Sequence, residues 1–313
     1  MRARVGIIDI GSNSIKALVA ERGPGRFGLE IVHEHTLEVR ISKGISRENP
    51  SLAEDRIQAG IRAVEELWRE CVGLGAGDNI RIVATSAVRS AGNGVRFMEG
   101  IAEATGCMAE ILSGEEEAEG IALGVRTDPA IGDIYDNFTV FDLGGGSLEL
   151  IRFERGEVRF RTSLPLGSVR LTERFFSQPE LPLPAEEQEA LAGHVRASIE
   201  AGAVDPRPPL IGCSGGLAAL RHCLAEAGVE DDTDTAMVFK RSTIEGLKER
   251  VNSQPIAERI SRSLIPAARA DIFPAALLTF SVVMELAGAV ELIHSFHNLR
   301  YGLAWSLLRS PRT

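Results

Sequence analysis

Aromatic residues are scarce in this chain: Trp, Tyr and Phe make up 5% of its 313 residues, too few for a surface that stacks nucleobases. Lys and Arg nowhere gather into a dense run and the formal net charge is −10, so a cationic stripe tracking nucleic acid is not expected. The four cysteines, Cys71, Cys107, Cys213 and Cys223, form no C-x-x-C pair. That spacing argues against a zinc ribbon or a disulfide framework and for reduced thiols in a cytoplasmic protein. No apolar run reaches the roughly 20 residues of a membrane span. The most apolar stretch, 273–290, is interrupted by Glu285 and reads as a buried helix, and the first five residues carry no apolar leader. The six histidines show no metal-ligand spacing with nearby acids, and His33 and His35, two apart on one strand face, read as exposed. A G-x-S-x-G elbow and a G-K-[ST] phosphate loop are both missing.

What remains is an ordinary globular composition, 44% hydrophobic and 25% charged, long enough for one large or two medium domains. Apolar runs at 5–9, 15–20 and 28–35 predict three strands, with 37–42 as an extension of the third. A helical stripe over 53–71, a short strand at 80–84, a helix at 95–105, a strand at 108–112 and a helix capped by Ser113 complete a βββαβαβα order. The second half repeats the order. Strands are predicted at 137–142, 148–153, 158–163, 208–213 and 290–294, and helices at 168–176, 185–201, 215–227, 243–251, 256–263, 274–288 and 299–308. The Asp/Pro/Gly-rich stretch 127–136 is the natural boundary.

Two turns in this duplicated frame match. Asp9-Ile-Gly-Ser-Asn-Ser14 and Asp142-Leu-Gly-Gly-Gly-Ser147 each follow a buried-strand pattern and lead into another strand. Glycine lets backbone N–H groups approach phosphate oxygens, serine hydroxyls add donors, and the aspartate can hold hydrated Mg²⁺. The candidates for phosphate contact are therefore Gly11, Ser12, Asn13 and Ser14 in the first turn and Gly144, Gly145, Gly146 and Ser147 in the second. A third turn, Gly212-Cys-Ser-Gly-Gly216, offers Ser214 and Gly215 at a helix start, suited to a phosphate or to nothing beyond a strand–helix connection. Glu115-Glu116-Glu117 opens a helix, where acids complement the helix dipole. Alternatively, one of them is a general base, strengthened by its like-charged neighbours. Arg89 follows a strand end, a position suited to phosphate recognition.

These motifs resemble those of the exopolyphosphatase/guanosine pentaphosphate phosphohydrolase (Ppx/GppA) family, within the actin/Hsp70/sugar-kinase superfamily. The matching stretches are 8–14, Ala84-Thr-Ser-Ala-Val-Arg89, Leu112-Ser-Gly-Glu-Glu-Glu-Ala118, 140–149, 212–216, 268–275 and Leu299-Arg-Tyr-Gly302. The resemblance implies an α/β protein of two actin-like (ribonuclease H-like) domains with mixed sheets. The first would span 1–127, completed by a last helix in 297–313; the second would span 128–296, with the active site in the cleft between them. It further implies Glu117 as catalytic base, Arg89 on phosphate, and Asp142 and Glu149 on Mg²⁺. Mn²⁺ is the alternative ion, and Asp9, a carboxylate beside the first glycine turn, is a further metal candidate. The expected function is release of terminal phosphate from polyphosphate or conversion of pppGpp to ppGpp by a cytoplasmic homodimer of the short, two-domain form. The alternatives are a regulator that binds guanosine tetra- or pentaphosphate or polyphosphate without hydrolysis, and an ATP-using kinase-like protein. Glu119 departs from the family's usual Arg, Cys213 and Gly216 depart in the third turn, and Asn298 stands where Gly is common.

Overall fold

The computed structural model describes residues 3–25, 27–45, 50–131, 136–226 and 237–309. The chain forms two compact units, one of Met1–Asp133 with His297–Thr313, the other of Ile134–Phe296. Among the described residues, no helix is long and apolar enough to cross a membrane.

The first unit runs β1 (Arg4–Ile10), β2 (Ile15–Arg22), β3 (Leu29–Leu37), α1 (Glu54–Gly73), β4 (Ile80–Ala84), α2 (Ser86–Ser90), α3 (Gly94–Thr105), β5 (Ala109–Ile111) and α4 (Gly114–Arg126). Its sheet has the order β3-β2-β1-β4-β5, antiparallel across β1–β3 and parallel from β1 to β5. Ile7, Ile8 and Ile10 of β1 are wholly buried, the two-sided burial of a central strand. Ile57, Val64, Leu67 and Cys71 form the buried stripe of α1 and join Phe97 and Ile101 of α3 in one core over the sheet. Each such fully buried Ile, Leu or Phe contributes roughly 1.5–3 kcal/mol. The short helix α2 is an addition to the expected order; it occupies the connection that carries Arg89.

Residues 37–42 do not extend β3 as expected. The strand ends at Leu37, Arg40 takes a left-handed φ of 53°, and the chain turns back at 41–44. Hydrogen bonds to the first glycine turn, described below, win over further pairing with β2.

The second unit contains β6 (Phe138–Leu143), β7 (Leu148–Glu154), β8 (Glu157–Leu164), α5 (Ser168–Phe175), α6 (Ala185–Ala201), β9 (Leu210–Gly212) and α7 (Gly215–Glu226). It continues with β10 (Met237–Lys240), α8 (Arg241–Asn252), α9 (Ile256–Ser261), a 3-10 turn (Ala267–Arg269), α10 (Phe273–Leu286) and β11 (Glu291–His294). The sheet order is β10-β11-β9-β6-β7-β8. The duplicated order predicted five strands here, so β10 is an addition: an edge strand of four residues, antiparallel to β11, too short to show a period. The expected loop at 228–234 lies outside the described residues, as do 132–135 of the expected boundary. Helix α10 is buried over almost its whole length, as a helix apolar on nearly every side must be.

The closing helix α11 (Leu299–Arg309) packs on α4 within the first unit. Their backbones nearly touch. A Cβ on Gly302 would sit 1.9 Å from the Gly120 carbonyl oxygen, and one on Gly124 would sit 2.0 Å from the Asn298 oxygen. On the sheet side, Arg300 is buried, donating to the Ala17 carbonyl at 3.1 Å and pairing with Glu34 at 3.1 Å. Tyr301 donates to the same carboxylate at 3.0 Å.

Candidate active site

Each glycine turn joins an antiparallel pair in the same register. Ile10 faces Ile15 and Gly11 N donates to Ser14 O at 3.1 Å. In the second unit Leu143 faces Leu148 and Gly144 N donates to Ser147 O at 2.9 Å. The turns are braced by different parts of the chain to the same end. In the first, the Ser12 carbonyl accepts from Ser42 N (3.2 Å) and Ser42 Oγ (3.0 Å), and the Asn13 carbonyl from Arg40 N (2.7 Å). In the second, the start of α5 supplies the donors. Ser168 N reaches Gly144 O and Val169 N reaches Gly145 O, both at 2.9 Å, and Arg170 Nε reaches Gly146 O at 3.1 Å. In a trans peptide the next N–H points opposite to the carbonyl. Fixing these carbonyls therefore turns the N–H groups of Asn13 and Ser14, and of Gly145, Gly146 and Ser147, away from the braces, the arrangement of an anion-binding nest. Gly167 permits the second brace, since a Cβ there would lie 2.2 Å from Gly146 N. Sequence reasoning missed Gly167, Arg40 and Ser42, which act on the turns only through tertiary contact.

In the first unit, parallel strand ends deliver three predicted elements to one sheet edge. Thr85 N donates to Ile10 O at 3.2 Å and Leu112 N to Ala84 O at 2.9 Å. The first turn, Arg89 and the start of α4 thus lie beyond the C-terminal ends of β1, β4 and β5, the usual ligand edge of an open α/β sheet. There the three glutamates separate. Glu115 and Glu116 are exposed and Glu117 is 8% exposed. Glu116 closes a capping box: Ser113 Oγ accepts from Glu116 N at 3.2 Å, and Glu116 Oε2 accepts from Ser113 N at 2.8 Å. Those hydrogen bonds hold Glu116 below the usual carboxylate range. For Glu116 this runs against the expectation that the neighbouring acids raise it. Glu117 accepts from Arg89 Nη1 at 3.0 Å, and the same nitrogen donates to the Leu112 carbonyl at 2.7 Å. Glu119 is exposed.

The two aspartates differ in what faces them across the hairpin. Asp142 is the register partner of Glu149, and Glu149 in turn of Ser163 on β8. Glu149 is 1% exposed and accepts from Ser163 Oγ at 2.6 Å. Like charges directly opposite on an antiparallel pair are destabilising, and a hard divalent cation held by oxygen donors relieves that cost, so this donor set fits Mg²⁺. Asp9 instead faces Lys16. Its Oδ1 is buried without a hydrogen bond. Burial raises its carboxyl above the usual range, against the opposing pull of Lys16 and Arg300. Asn13 donates from Nδ2 to Glu38 at 2.6 Å while its Oδ1 is buried and unbonded.

In the third turn Ser214 is buried and its Oγ accepts from Leu217 N at 3.1 Å, so its acceptor is committed to capping α7. A Cβ on Gly215 would meet the Arg269 guanidinium at 3.0 Å, which places a cation over this helix start. His33, His35 and Glu70 form a further cluster that sequence spacing hid, because Glu70 lies 35 residues beyond His35.

The profile of the Ppx/GppA phosphatase family matches residues 18–310. This chain belongs to that family. The solved structure of the Aquifex aeolicus Ppx/GppA family member is 26% identical, with a TM-score of 0.80 over 98% of this chain and 97% of that one. An exopolyphosphatase from Cytophaga hutchinsonii is 22% identical, with a TM-score of 0.86 over 97% of each chain. An exopolyphosphatase-like protein is 25% identical, with a TM-score of 0.86 over 98% of this chain and 99% of that one. The fold of this Ppx/GppA phosphatase is thus the two-sheet, actin-like α/β architecture.

Proposed function

We propose that this Ppx/GppA phosphatase hydrolyses phosphoanhydrides, releasing terminal phosphate from inorganic polyphosphate or the 5′ γ-phosphate of pppGpp. One observation carries the reading. Of three consecutive glutamates, one caps the helix and one lies in solvent, while Glu117 is buried against Arg89 at the sheet edge that holds the first glycine turn. A carboxylate held in one place by a guanidinium is suited to orient water and accept its proton. In this reading Glu117 takes the proton as the water oxygen attacks the terminal phosphorus and the anhydride P–O bond breaks. Arg89 spends Nη1 on Glu117 and Leu112 O, and its Nε and Nη2 serve the phosphoryl oxygens that gain charge. Backbone N–H groups of the first braced turn, on the same sheet edge as Glu117 and Arg89, cradle phosphate oxygens. Asp142 and Glu149 would hold Mg²⁺, which when bound supplies neutralisation of the phosphate oxygens. Asp9 adds a carboxylate with an unbonded oxygen.

Phosphate release measured with Mg²⁺ from polyphosphate, pppGpp and ATP tests this reading. Release from polyphosphate or pppGpp supports it. Release from ATP alone favours a kinase-like ATPase, and tight (p)ppGpp binding with no release favours a non-hydrolysing regulator.

A further inference from the structure

Residues two apart on a strand share a face, and His33 and His35 do so on β3, an edge strand of the first sheet. Across the pairing with β2 their neighbours are Val19 and Ala17, both wholly buried in the core beneath α1. From α1, Glu70 reaches over to the histidines. His33 Nε2 lies 3.3 Å from Glu70 Oε2, and His35 Nδ1 lies 3.0 and 2.9 Å from the two carboxylate oxygens. One atom from each residue fits within a sphere where all three lie within 4.8 Å of one another. In a tetrahedral site with bonds of about 2.0–2.1 Å, neighbouring ligand atoms are about 3.3 Å apart. The two imidazole–carboxylate spacings are already near that value, and the two imidazoles lie within 4.8 Å of each other, so side-chain rotation is what closes the set around an ion. The three side chains are 32–37% exposed, which leaves a path for the ion and room for a water in the fourth position. Partial burial draws the Glu70 carboxyl upward, but hydrogen bonds from His35 and His33 outweigh it and hold the group below its usual range.

We propose that His33, His35 and Glu70 bind one zinc-class divalent ion, separate in ligand chemistry from the oxygen-donor pair Asp142–Glu149. Two imidazoles and one carboxylate suit Zn²⁺, Co²⁺, Ni²⁺ or Cu²⁺ and disfavour Mg²⁺, which takes oxygen ligands. The ion would tie the free edge of β3 to α1.

The full-length protein, stripped with chelator and then saturated with Mg²⁺, should take up one equivalent of Zn²⁺ in a calorimetric titration. Its zinc X-ray absorption spectrum should show two imidazole nitrogens. Glu70→Gln and the pair His33→Gln/His35→Gln should each weaken uptake at least roughly tenfold, the cost already typical of losing a mere outer-sphere partner. Wild-type protein that binds no Zn²⁺ beside Mg²⁺ overturns the proposal. So does a bound zinc without two imidazoles, or uptake unchanged in folded variants, because the cluster is then a hydrogen-bonded clamp alone.

Discussion

Gly302→Ala probes the seam that holds the helix bearing Glu117. In an exposed helix interior this exchange stabilises by about 0.5–1 kcal/mol, because glycine costs more entropy to order. Here the new Cβ would lie 1.9 Å from the Gly120 carbonyl oxygen and 2.7 Å from Gly124 N, where ordinary contact begins at 3.4 Å. Both neighbours are backbone, so neither can rotate aside, and α11 must move off α4 by about the missing 1.5 Å, the difference between 3.4 and 1.9 Å. Overpacking of this kind costs about 1–3 kcal/mol, and the dispersion attraction forfeited along the separated seam pushes the cost toward about 3 kcal/mol. At roughly 2–4 °C per kcal/mol for a unit of this size, the transition should fall by about 6–12 °C. Scanning calorimetry is the assay, since two units need not unfold together. Gly246→Ala, in α8 with nothing within 4 Å of its Cβ, is the control and should raise the transition slightly. A displaced α4 would also misplace Glu117, and an error of about 1 Å can cost about 100-fold in turnover. Gly302→Ala protein with a transition at or above that of wild type would refute the reasoning.

Asp9→Asn should abolish phosphate release yet raise the melting temperature. Burial raises the folded carboxyl of Asp9, so the native state binds its proton more tightly than the unfolded chain. The stability this confers is present at low pH and lost as pH rises through the folded value. The gain from Asp9→Asn should therefore be larger at pH near 8 than near 4, and an equal gain at both would contradict it. His294 behaves in the opposite sense: desolvation, and then the charge of Arg221, lower it to about 3. Its contribution is present above the unfolded value and lost as pH falls toward 3; from an unfolded value near 6.5 the loss by pH 5 is about 2 kcal/mol. Denaturant titrations of wild type and His294→Gln should diverge by that amount between neutral pH and pH 5; parallel curves would count against it.

Legibility followed the range of the interactions. Two-sided apolar runs ending in Asp and Gly marked β1–β2 and β6–β7, and the mostly apolar run marked α10, because these signals lie within a few residues. Ser113 and Glu116 are three apart and form a local capping box, which separates the cap from Glu117 before any tertiary contact is considered. The braces of the turns are different. Nothing in Ser42 or Gly167 announces a contact with residues 12 or 146, and the expected extension of β3 failed for the same reason. The His33–His35–Glu70 cluster was half legible: the strand pair was visible, but its carboxylate comes from α1. Strand β10 is four residues long with Phe239 as its buried anchor, which is too little pattern to separate from a loop.

The most direct test is Glu117→Gln, which keeps an oxygen for Arg89 and removes the ability to accept a proton. Single-turnover phosphate release and equilibrium binding of polyphosphate or pppGpp should be measured on the same protein. If Glu117 is the base, the chemical step falls by about 10²–10⁴-fold while binding stays within a few-fold of wild type. Turnover near the wild-type rate would contradict the account.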